Sequence, residues 1–519
     1  MPGTAHEDQR PGWPAAGDGR QIVAEFQEAL LPTALPVLPQ ARIAARYLVA
    51  GHEQAAGGDW FDAIPLADSG VALIVGDVVG HGVAASAAMG QLRAVLAELL
   101  AAEKDLAHAL ERADAFAARM PALRAATLVL VVLDPADGSL RYTTCGHPPP
   151  LVIGIDGTAR YLEGTRTGPL GTGQAPALAA DRLASGELVL LYSDGLIERP
   201  DETMATGMAE LAAVAADAAG KVGADRAAAE RVCQLTVERL TRAGHADDIT
   251  ALAAQWLAEP VPALHLELPS RRPSLTKARD AFACWLSRLG AAADDWEALH
   301  LAMVEVFTNA IEHAYPSETP GNVELDAELG DDGYVECRVT DQGTWRPPDP
   351  ADADRGHGLM VAGQVVDRLL VSHPWQKAKG TTVALRHRLR RPAILASGHR
   401  REQPGDLAEP PFAVDTSIAA GATARALVSG PVDITTADKL LRRLLSVSRG
   451  GTVPLVADLS GVTQLASAGV RALYAVSGQL AAHGHALTLI TAPGSGASVV
   501  LDLVQLAHVS GEKAAEAEA

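Results

Sequence analysis

The chain has 519 residues, a formal net charge of −20 and 48% hydrophobic residues. At about 150 residues per domain, the length predicts three domains. The acidic balance argues against direct binding to nucleic acid or to anionic membranes, and the apolar fraction argues against general disorder.

The cysteines, Cys145, Cys233, Cys284 and Cys337, form no C-x-x-C pair, so neither a zinc ribbon nor a disulfide framework is indicated. Residues 1–20 have no apolar core and read as a disordered leader, not a signal peptide. The most apolar window, Val71–Gly90, is interrupted by Asp77 and His81 and is too broken to span a bilayer. A cytoplasmic location without membrane association is expected.

A first unit is expected over residues 21–258. Ile22, Phe26, Ala29 and Leu30 recur at helical spacing up to Pro32, and Thr127–Leu133 and Leu140–Cys145 read as a hairpin around Asp134-Pro-Ala-Asp-Gly138. Four segments stand out: Gly57-Gly58-Asp59-Trp60-Phe61-Asp62, Gly76-Asp77-Val78-Val79-Gly80-His81-Gly82, Ser193-Asp194-Gly195, and Asp247-Asp248-Ile249-Thr250. Three of them set Asp beside an apolar run that reads as a buried strand. A single Asp-Gly is usually a turn. Several carboxylates at strand ends are also what two hard divalent ions require, and a pair about 4 Å apart could activate a water against a phosphate ester.

These segments, with Gly146-His147-Pro148-Pro149-Pro150-Leu151 and Pro169-Leu170-Gly171, resemble the SpoIIE-like branch of the metal-dependent protein serine/threonine phosphatases. The resemblance implies an αββα sandwich and two Mn²⁺ or Mg²⁺ ions. Asp77 would bridge both and Val78 would lend its carbonyl. Asp194 and Asp247 would hold the second ion, and Asp59 would join directly or through water. Asp248 is the second choice in its doublet. Cys233 and Arg239 have the C-x5-R spacing of thiol phosphatases, but the glycine-free helical stretch between them cannot cradle a phosphate.

After Glu259-Pro-Val-Pro262, a second unit is expected over 262–390. It begins with a strand at Leu264–Leu268. Glu305, Asn309 and His313 then fall at i, i+4 and i+8 of a helical pattern. An amide can ligate Mg²⁺ and a carboxylate one turn away can act as base, although a solvated stripe would look the same. Val335–Thr340 reads as a strand leading into Asp341-Gln342-Gly343. Gly356-His357-Gly358 opens a helix, and Gly380-Thr381-Thr382 enters a last strand.

Together these resemble the GHKL ATPase fold of the anti-sigma-factor serine kinases. The resemblance implies ATP with Mg²⁺. Asn309 would hold the metal, Asp341 the adenine with Thr381 helping to close its pocket, and Gly356 and Gly358 the phosphates; Gly343 would also bind the nucleotide, with Glu305 as base. Trp345 stands where the family pattern has a second glycine.

Residues 391–411 read as a linker, 412–510 as an alternating α/β unit and 511–519 as a frayed tail. Strands are expected at Ala424–Val428, Leu455–Leu459 and Ala486–Thr491. Ala466-Ser467-Ala468-Gly469 follows a strand and opens a helix, where Ser467 is either an N-cap or a phosphoacceptor. The unit resembles the STAS domains of anti-anti-sigma factors, in which this serine is phosphorylated. Ala466 replaces the usual preceding Asp.

The fold class expected is α/β and α+β multidomain: a phosphatase sandwich, a GHKL α/β sandwich and a small STAS domain. The function expected is a metal-dependent serine phosphatase acting on phosphorylated STAS proteins, with a kinase-like module and a link to a sigma or anti-sigma factor. Homodimerisation stays open. The rival reading makes the GHKL and STAS units non-catalytic scaffolds.

Overall fold

A computed structural model of the chain describes residues 29–49, 57–67, 70–80, 82–199, 203–220, 228–242, 247–315, 321–344, 357–372, 380–395, 410–418 and 423–510. The leader, most of the first expected helix, Trp345, Gly356, most of the linker and the tail lie outside them. The described residues form two compact units. The first runs to Pro260 and includes 391–395; the second joins Val261–Arg390 to the residues from 410 onward.

In the first unit two sheets face each other. One has strands Trp60–Pro65, Val71–Asp77, Thr127–Leu133, Ser139–Cys145 and Ala179–Arg182, in that order. The other runs Ile394–Leu395, Ala41–Leu48, Ile249–Trp256, Leu188–Tyr192, Leu151–Ile153 and Ala159–Tyr161. Helices Val83–Ala102 and Leu106–Arg119 cover the first sheet, and Met204–Gly220 and Ala228–Leu240 the second. This is the expected αββα sandwich. Its central strands are apolar without alternation because a sheet covers one face and helices the other: Thr127–Leu133 is buried after its first residue, and Ile249–Trp256 is buried throughout.

The expected hairpin is present, with Val129 opposite Thr144. Cys233 sits buried in a helix, which pushes its thiol up to about 12 and leaves it inert. Ile394–Leu395, expected within the linker, instead adds a short parallel strand beside Arg46 and Tyr47. The exposed edge of Ala41–Leu48 offers unpaired backbone groups that a passing segment can satisfy. Val83–Ala102 is long and apolar enough to cross a membrane by length and composition, and it packs Met89, Leu92, Leu96 and Leu99 into the core.

The second unit holds two sheets. Strands Leu264–Pro269, Asn322–Leu329, Tyr334–Asp341, Thr381–Arg388 and Arg368–Ser372 form an antiparallel sheet in that order. Helices Arg272–Leu289, Ala293–His313 and His357–Val365 accompany it. Strands Ala413–Ile418, Ala424–Val432, Leu455–Leu465, Leu487–Thr491 and Val509–Ser510 form the other sheet, parallel after its first pair. Its helices are Ala437–Val447, Ser467–Ala482 and Gly496–Leu503. Length predicted three domains; by compactness the last two form one body.

Candidate functional site

Two clusters of sequence-predicted residues assemble, one in each unit. In the first, Asp59 directly precedes strand Trp60–Pro65 and Asp77 ends the neighbouring strand Val71–Asp77. Asp194 follows strand Leu188–Tyr192, and Asp247 and Asp248 precede strand Ile249–Trp256. Four strand ends from two sheets therefore present carboxylates in one neighbourhood.

Their electrostatics record that crowding. Burial raises the Asp59 pKa well above the carboxylate range, and the charge of Asp77 raises it further. Asp77 is pushed up to about 7, by burial and then by Asp194, Asp247 and Asp248. Asp194 is raised by burial, Glu198 and Asp247.

Within the doublet, Asp248 is 1% exposed and accepts from the Tyr47 hydroxyl, while Asp247 is exposed and accepts from the Asp248 amide at 2.8 Å. The outward residue is the one chosen from sequence. Thr250 Oγ1 donates to Asp59 Oδ2 at 3.4 Å, and Ser193 Oγ accepts from the Thr250 amide at 3.0 Å.

Do these residues suit divalent cations? The donor chemistry does: several carboxylates share a site with the Val78 carbonyl, and like charges raise one another's pKa values. A Cβ on Gly58 would lie 2.0 Å from the Val78 carbonyl oxygen and 2.7 Å from Asp77 Oδ1. Only glycine at 58 leaves these two oxygens their shared space. Among the described residues, no three His, Cys, Asp or Glu side chains are gathered closely enough to hold a metal ion as they stand.

Other motif residues have structural roles. His147 bridges Thr127 Oγ1 at 2.9 Å and the Tyr192 carbonyl at 3.0 Å, and burial drives its pKa down to about 4. Asp62 pairs with Arg93 at 2.8 Å.

The second cluster lies on helix Ala293–His313. Glu305 is 1% exposed, and burial raises its pKa. Gly358, near the start of its helix, packs on this face: a Cβ there would meet Glu305 Oε2 at 2.5 Å and Asn309 Nδ2 at 3.4 Å. Asp341 is buried, accepts from the Gly343 amide at 2.8 Å, and pairs across strands with Thr381. Gly356 lies outside the described residues. His313, placed on the same face by spacing, ends the helix exposed, and its neighbour Glu312 accepts from the Arg471 guanidinium at 3.5 Å.

Ser467 joins this cluster. Its hydroxyl donates to Glu305 Oε2 at 2.7 Å, and its backbone amide donates to Glu305 Oε1. Ala466 occupies the N-cap, so Ser467 is the first helical residue and not the cap. Three ion pairs also join the segment before residue 390 to the segment after 410. Arg279 meets Asp433 at 2.9 Å, Arg272 meets Asp438 at 3.0 Å, and Arg471 meets Glu312 at 3.5 Å. Sequence reasoning missed all of them, because ion-paired partners distant in sequence leave no local spacing signal.

Three family models match in chain order: Stage II sporulation protein E over residues 67–257, the histidine kinase-like ATPase domain over 268–387, and the Mlab, STAS domain over 419–511. Among solved structures, the chain is similar to the RsbU and RsbW domains of Rv1364c from Mycobacterium tuberculosis. That match has 39% identity and a TM-score of 0.64, and covers 72% of this chain and 99% of that one. An anti-sigma F factor of Clostridium botulinum is 30% identical over 138 residues, covering 24% of this chain and 92% of the relative. Protein IcfG of Synechocystis sp. is 28% identical over 217 residues, which is 36% of this chain and 33% of that relative's length.

Proposed function

Because the chain belongs to the bacterial partner-switching family that joins a SpoIIE-type phosphatase, a histidine kinase-like (GHKL) ATPase domain and a STAS domain, we propose that it both adds and removes a phosphate on STAS serines. The modules are taken as residues 21–258, 262–390 and 412–510. The observation that carries this reading is the Ser467 hydroxyl on Glu305, at 2.7 Å.

Within the second unit, ATP with Mg²⁺ would supply the phosphoryl group. Glu305 would take the Ser467 hydroxyl proton as Oγ bonds to the γ-phosphorus and ADP leaves. Burial favours that role, since it raises the affinity of the carboxylate for a proton. Bonds to the Ser467 hydroxyl and amide orient the carboxylate. Asn309 would hold Mg²⁺. Asp341, Gly343 and Thr381 would receive the adenine, and Gly356 and Gly358 the phosphates. The pairs Arg279–Asp433, Arg272–Asp438 and Arg471–Glu312 seat the STAS module.

In the first unit, Asp59, Asp77, Asp194, Asp247 and the Val78 carbonyl would hold two Mn²⁺ or Mg²⁺ ions. When bound, such ions supply Lewis acidity and an activated water for phosphate-ester hydrolysis. The residues themselves bind and orient, and no protein nucleophile is required. The substrate class is a phosphoserine on a STAS protein, in the cytoplasm, in a circuit that ends in a sigma factor.

The test is incubation of the full chain with Mg-ATP, followed by phosphate mapping. Phosphoserine at Ser467 is expected, and none in Ser467→Ala. No phosphate on Ser467 or on any supplied STAS protein overturns the kinase reading and favours a scaffold. Mn²⁺-dependent hydrolysis of the phosphorylated product should vanish in Asp77→Ala and Asp194→Ala. Undiminished turnover in both refutes the metal assignment.

A further inference from the structure

A cavity of about 310 Å³ lies in the second unit beside, but not within, the Glu305 cluster. That volume is at the lower end for small-molecule sites. Trp296, His300 and Leu301 line it from helix Ala293–His313, Gln464 from the end of strand Leu455–Leu465, and Gly496 and Val499 from the last helix. Glu305, Asn309 and Ser467 do not line it.

Its polar groups are unsatisfied. Gln464 is 5% exposed, yet neither amide atom has a hydrogen-bond partner. His300 is 1% exposed and lacks a partner at Nε2. Burial drives the His300 pKa down to about 3, so the ring is neutral, and its other nitrogen is bonded to the backbone of Arg279. A neutral imidazole that donates through one nitrogen offers the other as a bare acceptor. Trp296 stacks on this ring at 4.4 Å, which fixes its plane. Buried amide and imidazole groups are costly to leave unpaired, and a cavity lined by three such atoms calls for an occupant.

The lining states what that occupant is. The Gln464 amide presents a donor and an acceptor in one plane, complementary to a planar edge with an N–H beside an acceptor, as glutamine pairs with a nucleobase. His300 Nε2 takes a second N–H. Leu301, Val365 and Leu465 supply apolar walls for a flat ring. The charged groups of the lining are Asp294 and Glu297, with no Lys or Arg among them, which disfavours phosphate or carboxylate.

We infer that this cavity binds an uncharged planar heterocycle of the nucleobase class, without phosphate, held by Gln464 and His300. Because its walls come from both sequence modules of the unit, occupancy favours the arrangement in which Ser467 meets Glu305.

The test uses the full chain with Mg·AMP-PNP in excess, so that a base cannot report on the nucleotide pocket. Adenine, cytosine and AMP are titrated by calorimetry. At least one free base is expected to bind, with AMP weaker. Gln464→Leu should weaken the base by roughly tenfold or more, since the site loses its paired edge. Trp296→Ala reads the same site if Gln464→Leu does not fold.

Absence of binding by either base overturns the inference. So does binding that both variants leave unchanged, or that Asp341→Asn abolishes instead. A crystal soaked with the bound base that shows only ordered water in the cavity overturns it as well.

Discussion

At the strand ends of the first unit, Asp59, Asp77 and Asp194 face one another and other acids, and each is pushed toward its protonated form. In the second unit, Glu305 and Asp433 are buried more deeply than Asp77 or Asp194, yet each meets a donor: the Ser467 hydroxyl and amide for one, the Arg279 guanidinium for the other. The difference lies in who supplies the compensation. In the first cluster the neighbours are mostly other acids; in the second they are a hydroxyl, an amide and a guanidinium supplied by distant parts of the chain.

The largest effect that would sharpen this contrast is at Glu305. Glu305→Gln keeps the shape and removes the base, so phosphate transfer to Ser467 should slow by roughly 10²–10⁴-fold, read by mass spectrometry over time. A slowdown under about threefold would end the base assignment.

Next comes Asp433→Ala, which strands Arg279 beside a buried void. Breaking such a pair costs about 3–5 kcal/mol. Thermal unfolding of the second unit should shift accordingly, and hydrogen exchange should rise across Ser467–Ala482. Unchanged exchange there would show that the pair does not seat this helix.

His147 gives an intermediate, pH-dependent effect. Its folded pKa of about 4 lies below the ordinary value of 6.5, so the unfolded chain binds the proton first as pH falls. Stability is therefore full above about pH 6.5 and lost toward pH 4, by about 2 kcal/mol at pH 5. His147→Gln should flatten that limb of the pH profile; an unchanged slope between pH 6.5 and 5 would contradict the assignment.

The smallest expected change has the opposite sign. Asp77→Asn removes one of several repelling charges, so the metal-free first unit should gain about 1 kcal/mol while its stabilisation by Mn²⁺ disappears. A large loss of stability without metal would show the carboxylates to be structural partners, erasing the contrast with Asp433.

Much of this was legible beforehand for a physical reason. Val71–Asp77, Leu188–Tyr192 and Ile249–Trp256 are short apolar runs, each with an Asp at or beside one end, and a strand end is a local event. The hairpin at Thr127–Cys145 and the face carrying Glu305 and Asn309 are local in the same sense. Tyr47 on Asp248 and Arg279 on Asp433 were not legible, since 201 and 154 residues separate the partners.

The sequence by itself determined the acidic strand ends and the serine at the start of a helix, because each depends on periodicity or on residues a few positions apart, while the order of the modules and the αββα sandwich came from the family resemblance those motifs carry. Only the tertiary structure decided that the last two modules form one body, that Ser467 rests on Glu305 and not as a helix cap, and that Gln464 and His300 open onto a shared cavity. Those facts are set by packing between distant segments. There a buried polar group must find its partner across the fold, and no local pattern records which one it finds.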